Sequence, residues 1–467
     1  MQPANGPWKD KPLNSPTPVN AAPDDSRERL AHLESLAARL LDACRAAGAD
    51  QAEVSCSEER GLNVGVRMGE VETVEATRDR GIGVTVYFDH RKGSASTADL
   101  REQSLAATVE QACAIARFTE ADPAAGLADA ERMATASRDL DVWHPWALEA
   151  DRAVELALAC EAAGREADDR ITNSDGAAVG SGQSLGVYAN SHGFTGASRD
   201  TMHSISCALI AGRGEAMQRE GWYSIGLAEA DLDPAAAIGR RAAERAAARL
   251  DPRPLATGEY PVLFDAAVAR SLFGHLVGAV SGGALYRRAS FLLDSVGEQL
   301  FPDWLSIHER PHLAHGLRSA WFDAEGVATR DCALVEAGVL QRYVLGSYSA
   351  RRLGLESTGN AGGVRNLQVA ANAGDRDELL RSMGRGLLVT DLMGQGVNTV
   401  TGDYSRGAGG FWIEGGEIAF PVEGITIAGN LRQMFRAIEA VGSDVDPRSH
   451  LQTGSILLGR MTVAGGE

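Results

Sequence analysis

From about residue 255 onward, the chain strings short β-branched stretches between glycines, a texture of short strands and tight turns. Helical windows in that half are confined to 265–280, 347–353 and 375–384. The reading is a β-rich C-terminal domain over 251–467, barrel- or sandwich-like.

The first half has a different rhythm, and the whole reads as α+β. Asp25, with Glu28 three residues on, predicts a helix start, and Leu30, Leu33, Ala37, Leu40, Leu41 and Cys44 form its apolar stripe up to Gly48. Strand patterns follow at Ala52–Ser57 and Gly61–Arg67, then where Ile82, Val84, Val86 and Phe88 alternate with Gly83, Thr85 and Tyr87. A second helix opens at Asp99 with Glu102. This predicts an N-terminal α/β-type domain over 25–120, with helices packed on a mixed sheet. Residues 1–24 hold a proline-rich leader expected to be disordered.

A central α+β region is expected over 121–250. It starts with an irregular connection, 119–146, then a helix over Leu148–Ala163 that Gly164 is expected to end. Polar β-like stretches over 170–223 contain Asn190-Ser191-His192-Gly193 as a turn signal, and an alanine- and arginine-rich helix covers 232–249.

Charge narrows the function. The 467 residues carry a formal net charge of -18, and an acidic surface repels phosphate backbones, which argues against nucleic acid as a partner. Lysine occurs only at 9, 11 and 92, so the rest of the chain has neither a Walker-A lysine nor a Schiff-base lysine. The cysteines at 44, 56, 113, 160, 207 and 332 form no C-x-x-C pair and read as reduced thiols. With no signal segment and no apolar run of membrane-spanning length, the expectation is a cytoplasmic protein without a membrane partner.

His308-Glu309-Arg310-Pro311-His312 spells H-E-x-x-H, with His315 close by. That motif binds zinc because two histidines at i and i+4 project from one helical face, with the glutamate placed to activate water. Pro311 sits inside the required turn, lacks an N–H and clashes with the carbonyl of Ile307. It also pushes Arg310 out of the α region. The segment therefore reads as a loop with surface histidines, the functional reading being a self-sufficient zinc peptidase using His308, Glu309 and His312.

Two further segments stand out. Gly402 through Trp412 places Asp403, Tyr404, Ser405 and Arg406 among glycines, either as ligand contacts or as the flank of a tight turn. Asp323-Ala324-Glu325-Gly326 pairs two carboxylates, yet Asp-x-Glu-Gly is also an ordinary hairpin turn, the reading preferred here.

From about residue 30 onward the chain resembles the TldD/PmbA family of peptidases, in its PmbA (TldE) branch. The resemblance rests on Glu70-Val71-Glu72, Gly81-Ile82-Gly83-Val84 and Gly93 through Thr97 in the first part. In the second it rests on Phe322 through Gly326, Ser347 through Arg351, Ser357 through Gly363, Gly402 through Trp412, Phe420-Pro421-Val422 and Ile427 through Asn430. The TldD branch carries H-E-x-x-x-H on a helix, plus a cysteine near the C-terminus. Aligned through Val277-Gly278 and Tyr286-Arg287-Arg288, the first histidine position holds Gly274, the glutamate position His275 and the second histidine position Ala279. No cysteine follows Cys332.

The resemblance therefore implies no catalytic residues and no metal in this chain. It implies a non-metal subunit of a heterodimeric metalloprotease, with zinc in a TldD-type partner and unfolded or leader peptides as substrates, in peptide-precursor maturation and antitoxin degradation. It leaves a homodimer open when the partner is absent, and it makes Asp403, Tyr404, Ser405 and Arg406 the candidate lining of a peptide chamber. The competing readings are the self-sufficient zinc peptidase and a peptide-binding protein without enzymatic activity. Older names in the family point to DNA gyrase, a link that the acidic charge makes indirect.

Overall fold

The computed structural model describes residues 24–465, so nearly all of the expected leader lies outside the described residues. Its first half is built on one antiparallel sheet of six strands in the order β3-β2-β1-β4-β5-β6. These are β1 (Gln51–Arg67), β2 (Glu70–Phe88), β3 (Arg91–Thr97), β4 (Ile171–Asn190), β5 (Thr195–Ala211) and β6 (Gln218–Gly226). β1 pairs with β4 from Glu53 opposite Asn190 to Val66 opposite Ala177, so the sheet runs unbroken across residue 120. The Asn190–Gly193 turn joins β4 to β5.

β1 and β2 are each one long strand of 17 and 19 residues, where the sequence pattern suggested shorter pieces. The pattern breaks because residues 70–80 of β2 are exposed on both faces, and no core there demands apolar alternation. β3 pairs only with Ile82–Phe88, which leaves residues 70–81 as a sheet edge.

Four helices cover one face of this sheet at two places. α1 (Ser26–Ala46) and α2 (Glu102–Phe118) bury Leu33, Leu36, Leu40, Leu105 and Val109 against Val54, Val84 and Val187. α3 (Ala150–Arg165) and α4 (Ala235–Ala248) cover Val64, Val179 and Leu209. α1 starts where expected, but Asp25 makes no cap; its carboxylate pairs with Arg29, and Asp24 accepts the Ser26 N–H. Gly164 does not end α3 either: it lies within the helix, at the crossing with Gly239 of α4.

The second half holds two mixed sheets. The larger has the order β14-β13-β12-β7-β17-β15, and β14 also pairs with β17, so five of its strands close into a barrel-like ring. Its strands are β7 (Gly258–Phe264), β12 (Arg385–Met393), β13 (Asp403–Glu414), β14 (Glu417–Asn430), β15 (Ile438–Val441) and β17 (Ile456–Ala464). The smaller, β10-β9-β8-β11-β16, comprises β8 (Ile307–Glu309), β9 (Cys332–Glu336), β10 (Val339–Leu340), β11 (Leu367–Val369) and β16 (Leu451–Gln452).

α5 (Ala266–Ala279) lies between the two sheets, with Leu272, Phe273 and Leu276 in a core shared with Val262, Tyr404 and Ile427 on one side and Ile307 and Leu334 on the other. Asp265 caps it by accepting the Ala267 N–H. The remaining helices are α6 (Gly282–Tyr286), α7 (Ser347–Leu353), α8 (Arg376–Met383) and α9 (Leu431–Arg436). α8 covers the outer face of the ring through Leu379 and Leu380. α7, from the second half, clasps the connection between α2 and α3: Arg351 donates to the carbonyls of Ala124, Gly126 and Leu127, and Tyr348 donates to Asp122 at 2.8 Å.

The six cysteines are unpaired thiols, five of them buried. Among the described residues no helix is long and apolar enough to cross a membrane.

Candidate functional site

The H-E-x-x-H spelling does not fold as a helix. His308 and Glu309 lie on β8, so their side chains leave opposite faces of a strand. His308 Nε2 is 3.3 Å from Glu336, and His312 Nε2 lies 3.1 Å from the Thr329 hydroxyl. Glu309 is 2% exposed and fully engaged: it pairs with Arg342 and accepts from Asn360 Nδ2 at 2.8 Å and the Arg365 N–H at 2.6 Å. A carboxylate tied to three donors is a structural anchor rather than a free base.

Asp323 and Glu325 form the expected turn. Asp323 accepts the N–H groups of Glu325, Val327 and Ala361, while Glu325 accepts the Ser347 N–H. Gly326 takes φ +79°, with an aromatic ring of Phe194 where a Cβ would stand.

The structure brings α5 and the glycine-rich β13 together. The His275 ring meets the Tyr404 ring edge-on, with centroids 5.9 Å apart. His275 Nε2, Tyr404 Oη and Arg406 Nε are all buried without hydrogen-bond partners. Burial holds the His275 imidazole below its ordinary pKa, and the Arg406 guanidinium pushes the same way. Burial also pushes the Tyr404 phenol up to about 12. Gly274 and Ala279 offer no ligand atoms, so α5 presents a single neutral imidazole beside a cation. Zinc needs three protein ligands and an anionic or neutral setting, and this residue set does not fit it.

Strand alternation divides the four chamber candidates. Tyr404, 1% exposed, and Arg406 turn inward toward His275, whereas Asp403 and Ser405 are exposed. Asp403 and Ser405 line an open groove of about 850 Å³, bounded by Gly278, Ser281 and residues 395–400. Gly402 takes φ +80° to close the turn that enters β13. Gly409 is glycine for a different reason: the Arg249 guanidinium, paired with Glu220, occupies the place of its side chain.

A second constellation is not legible in the sequence. Asp141 and His144, from the connection between α2 and α3, meet His315 from the loop after β8. His315 Nδ1 lies 3.0 Å from Asp141 Oδ2, and His315 Nε2 lies 2.8 Å from Asp231 Oδ2. The Asp231 hydrogen bond holds the His315 proton and raises its pKa to about 9. Asp141 also borders a cleft of about 690 Å³ that carries Arg138, Arg318 and Arg365 on its walls. The only sequence signal was Asp-x-x-His at 141 and 144; its third member is 171 positions away from His144.

Three family models match almost end to end: PmbA/TldA metallopeptidase domain 1 over residues 52–116, the central domain over 143–250 and the C-terminal domain over 257–465. The chain belongs to the PmbA/TldD metallopeptidase family. It is 50% identical to Metalloprotease PmbA of Escherichia coli over 416 residues, 89% of this chain and 92% of that protein. It is 48% identical to the Metalloprotease PmbA homolog of Haemophilus influenzae, again covering 89% and 92%.

Among solved structures in this PmbA/TldD fold, a candidate modulator of DNA gyrase from Bacteroides thetaiotaomicron superposes with a TM-score of 0.88 at 28% identity, covering 93% of this chain and 99% of that one. TldE from Thermococcus kodakarensis shares the fold with a TM-score of 0.80 at 22% identity, covering 92% and 99%.

Proposed function

We propose that this PmbA/TldD-family chain is the PmbA/TldE-like subunit of a heterodimeric metalloprotease whose catalytic zinc sits in a TldD-type partner. The observation that carries this reading is the environment of His275. The helix corresponding to the family's metal helix offers one imidazole, and that imidazole faces Tyr404 and Arg406 in the core. The chain then acts as half of an enclosure that admits unfolded or leader peptides. Strand addition suits such substrates, because backbone hydrogen bonds tolerate many side chains.

In this reading the groove beside Asp403 and Ser405 faces the chamber, with Tyr404 and Arg406 supporting it from behind. The exposed edge of β2 over residues 70–81 offers a second place for a partner's strand. The assembly works in the cytoplasm, on peptide precursors or on antitoxins.

The test is to co-express the chain with a TldD-type protein, then measure zinc per subunit and cleavage of an unstructured peptide. Cleavage is expected only from the pair, and it is lost when the partner's metal glutamate is replaced. Peptide cleavage by this chain alone, abolished by a chelator, would overturn the reading. Ser405→Trp tests the groove: unchanged cleavage by the pair removes it from the chamber.

A further inference from the structure

Asp141, His144 and His315 sit far from α5 in sequence and belong to no part of the reading above. Their ligand atoms all lie within 4.8 Å of one another. His144 Nε2 is 3.1 Å from Asp141 Oδ1, and His315 Nδ1 is 3.0 Å from Asp141 Oδ2. Ligands of a tetrahedral zinc with bonds of about 2.0–2.1 Å stand roughly 3.3 Å apart, so both pairs are already near that separation. The two imidazole rings stand beside this same carboxylate, with centroids 4.8 Å apart and planes tilted by 56°.

The surroundings are those of a metal site. A ligating histidine ordinarily donates its other N–H to a carboxylate, which fixes its tautomer and orientation. Asp231 Oδ2 does this for His315 Nε2 at 2.8 Å, and Asp231 is itself held by the Ala228 N–H. The backbone positions the two histidines as well: the His144 N–H is held by the Thr201 hydroxyl, and the His315 N–H by the Leu140 carbonyl. Asp141 at φ +53° and His315 at φ +58° both occupy the left-handed region, which costs free energy and is retained where a side chain has to be aimed. His144 and His315 are about one-third exposed, so a cation can reach them from solvent.

We propose that Asp141, His144 and His315 bind one divalent transition metal of the zinc class, through Asp141 Oδ, His144 Nε2 and His315 Nδ1, with Asp231 as the positioning residue behind His315. The fourth position takes water. Asp141 and His144 come from the connection before α3, His315 from the loop after β8 and Asp231 from the turn before α4. The metal therefore pins the two halves of the chain together and has a structural role. A proton shared between Asp141, His315 and Asp231 is the alternative occupant of the same geometry, and the experiment separates the two.

The tag-free full-length chain is stripped with a chelator, then titrated with Co²⁺ and Zn²⁺. Expected are visible d–d bands of a cobalt site with nitrogen and oxygen ligands, displaced by one equivalent of zinc. Zinc is also expected to raise the melting temperature. His144→Ala and His315→Ala lose the bands and the shift, whereas His308→Ala with His312→Ala keeps both. Asp231→Asn weakens zinc binding by about ten-fold or more, as loss of a supporting carboxylate does. A wild-type chain without cobalt bands overturns the proposal by itself, whatever the folding of the variants. Bands that persist in both His144→Ala and His315→Ala overturn it equally.

Discussion

Glu309 and Arg342 form a buried ion pair, the glutamate 2% exposed and the arginine also held by Asn360 Oδ1 at 2.7 Å. The glutamate of the zinc-like spelling is thus a counter-charge. Replacing it by glutamine leaves a buried guanidinium without its partner, which costs about 3 kcal/mol. Glu309→Gln should lower the urea midpoint accordingly and leave zinc content unchanged. A variant of full stability with reduced peptide cleavage would return Glu309 to the chemistry.

His275 carries the opposite expectation. Its Nε2 is buried without a partner, so the imidazole contributes packing and a desolvation penalty together. Removing an unsatisfied polar atom at similar volume is close to neutral, within about 1 kcal/mol. His275→Leu should keep the fold and the metal content of the assembled protease. Loss of a stoichiometric metal ion from this chain in that variant would show that α5 does bind one.

The crossing of α3 and α4 is set by two glycines. A Cβ on Gly239 would stand 1.9 Å from the carbonyl oxygen of Cys160, and one on Gly164 would stand 2.6 Å from that of Gly239. Backbone cannot yield as a side-chain tip can, so Gly239→Ala should force the helices apart at a cost of at least about 2 kcal/mol. Chemical denaturation measures it. A loss below about 0.5 kcal/mol would mean the helices slide past each other freely.

These cases show where the sequence is informative. α1, α2 and α4 are legible because each buries one stripe on one sheet face, and a 3.6-residue period survives in the letters. Pro311 correctly denies a helix at 308–312, since its effect is local. Gly164 misleads, because the same residue serves a helix end or a close crossing, and only the neighbour at Gly239 decides. The closure of β14 on β17 and the meeting of Asp141 with His315 are invisible for one reason. Each depends on pairing between segments whose separation leaves no periodic trace. Asp403 through Arg406 is an intermediate case: the segment was conspicuous, but its inward and outward sides follow from the strand that holds it.

His450, next to β16, gives the fold a pH dependence. Burial depresses its pKa from 6.5 to about 4, and the guanidinium groups of Arg318, Arg365 and Arg270 add to the effect. The unfolded chain therefore binds a proton at this site between pH 6.5 and about 4, where the folded chain does not. Stability from this group is complete above pH 6.5 and is lost as pH falls through that window. At pH 5 the loss amounts to about 2 kcal/mol. His450→Gln removes the titrating group while keeping a polar side chain of similar reach. The difference in urea midpoint between wild type and His450→Gln, measured at pH 7.5 and again at pH 5, isolates the histidine from the carboxylates that titrate nearby. Wild type should lose more stability than the variant over that interval. Equal losses would mean that His450 is protonated in the fold, and that the three arginines do not act on it.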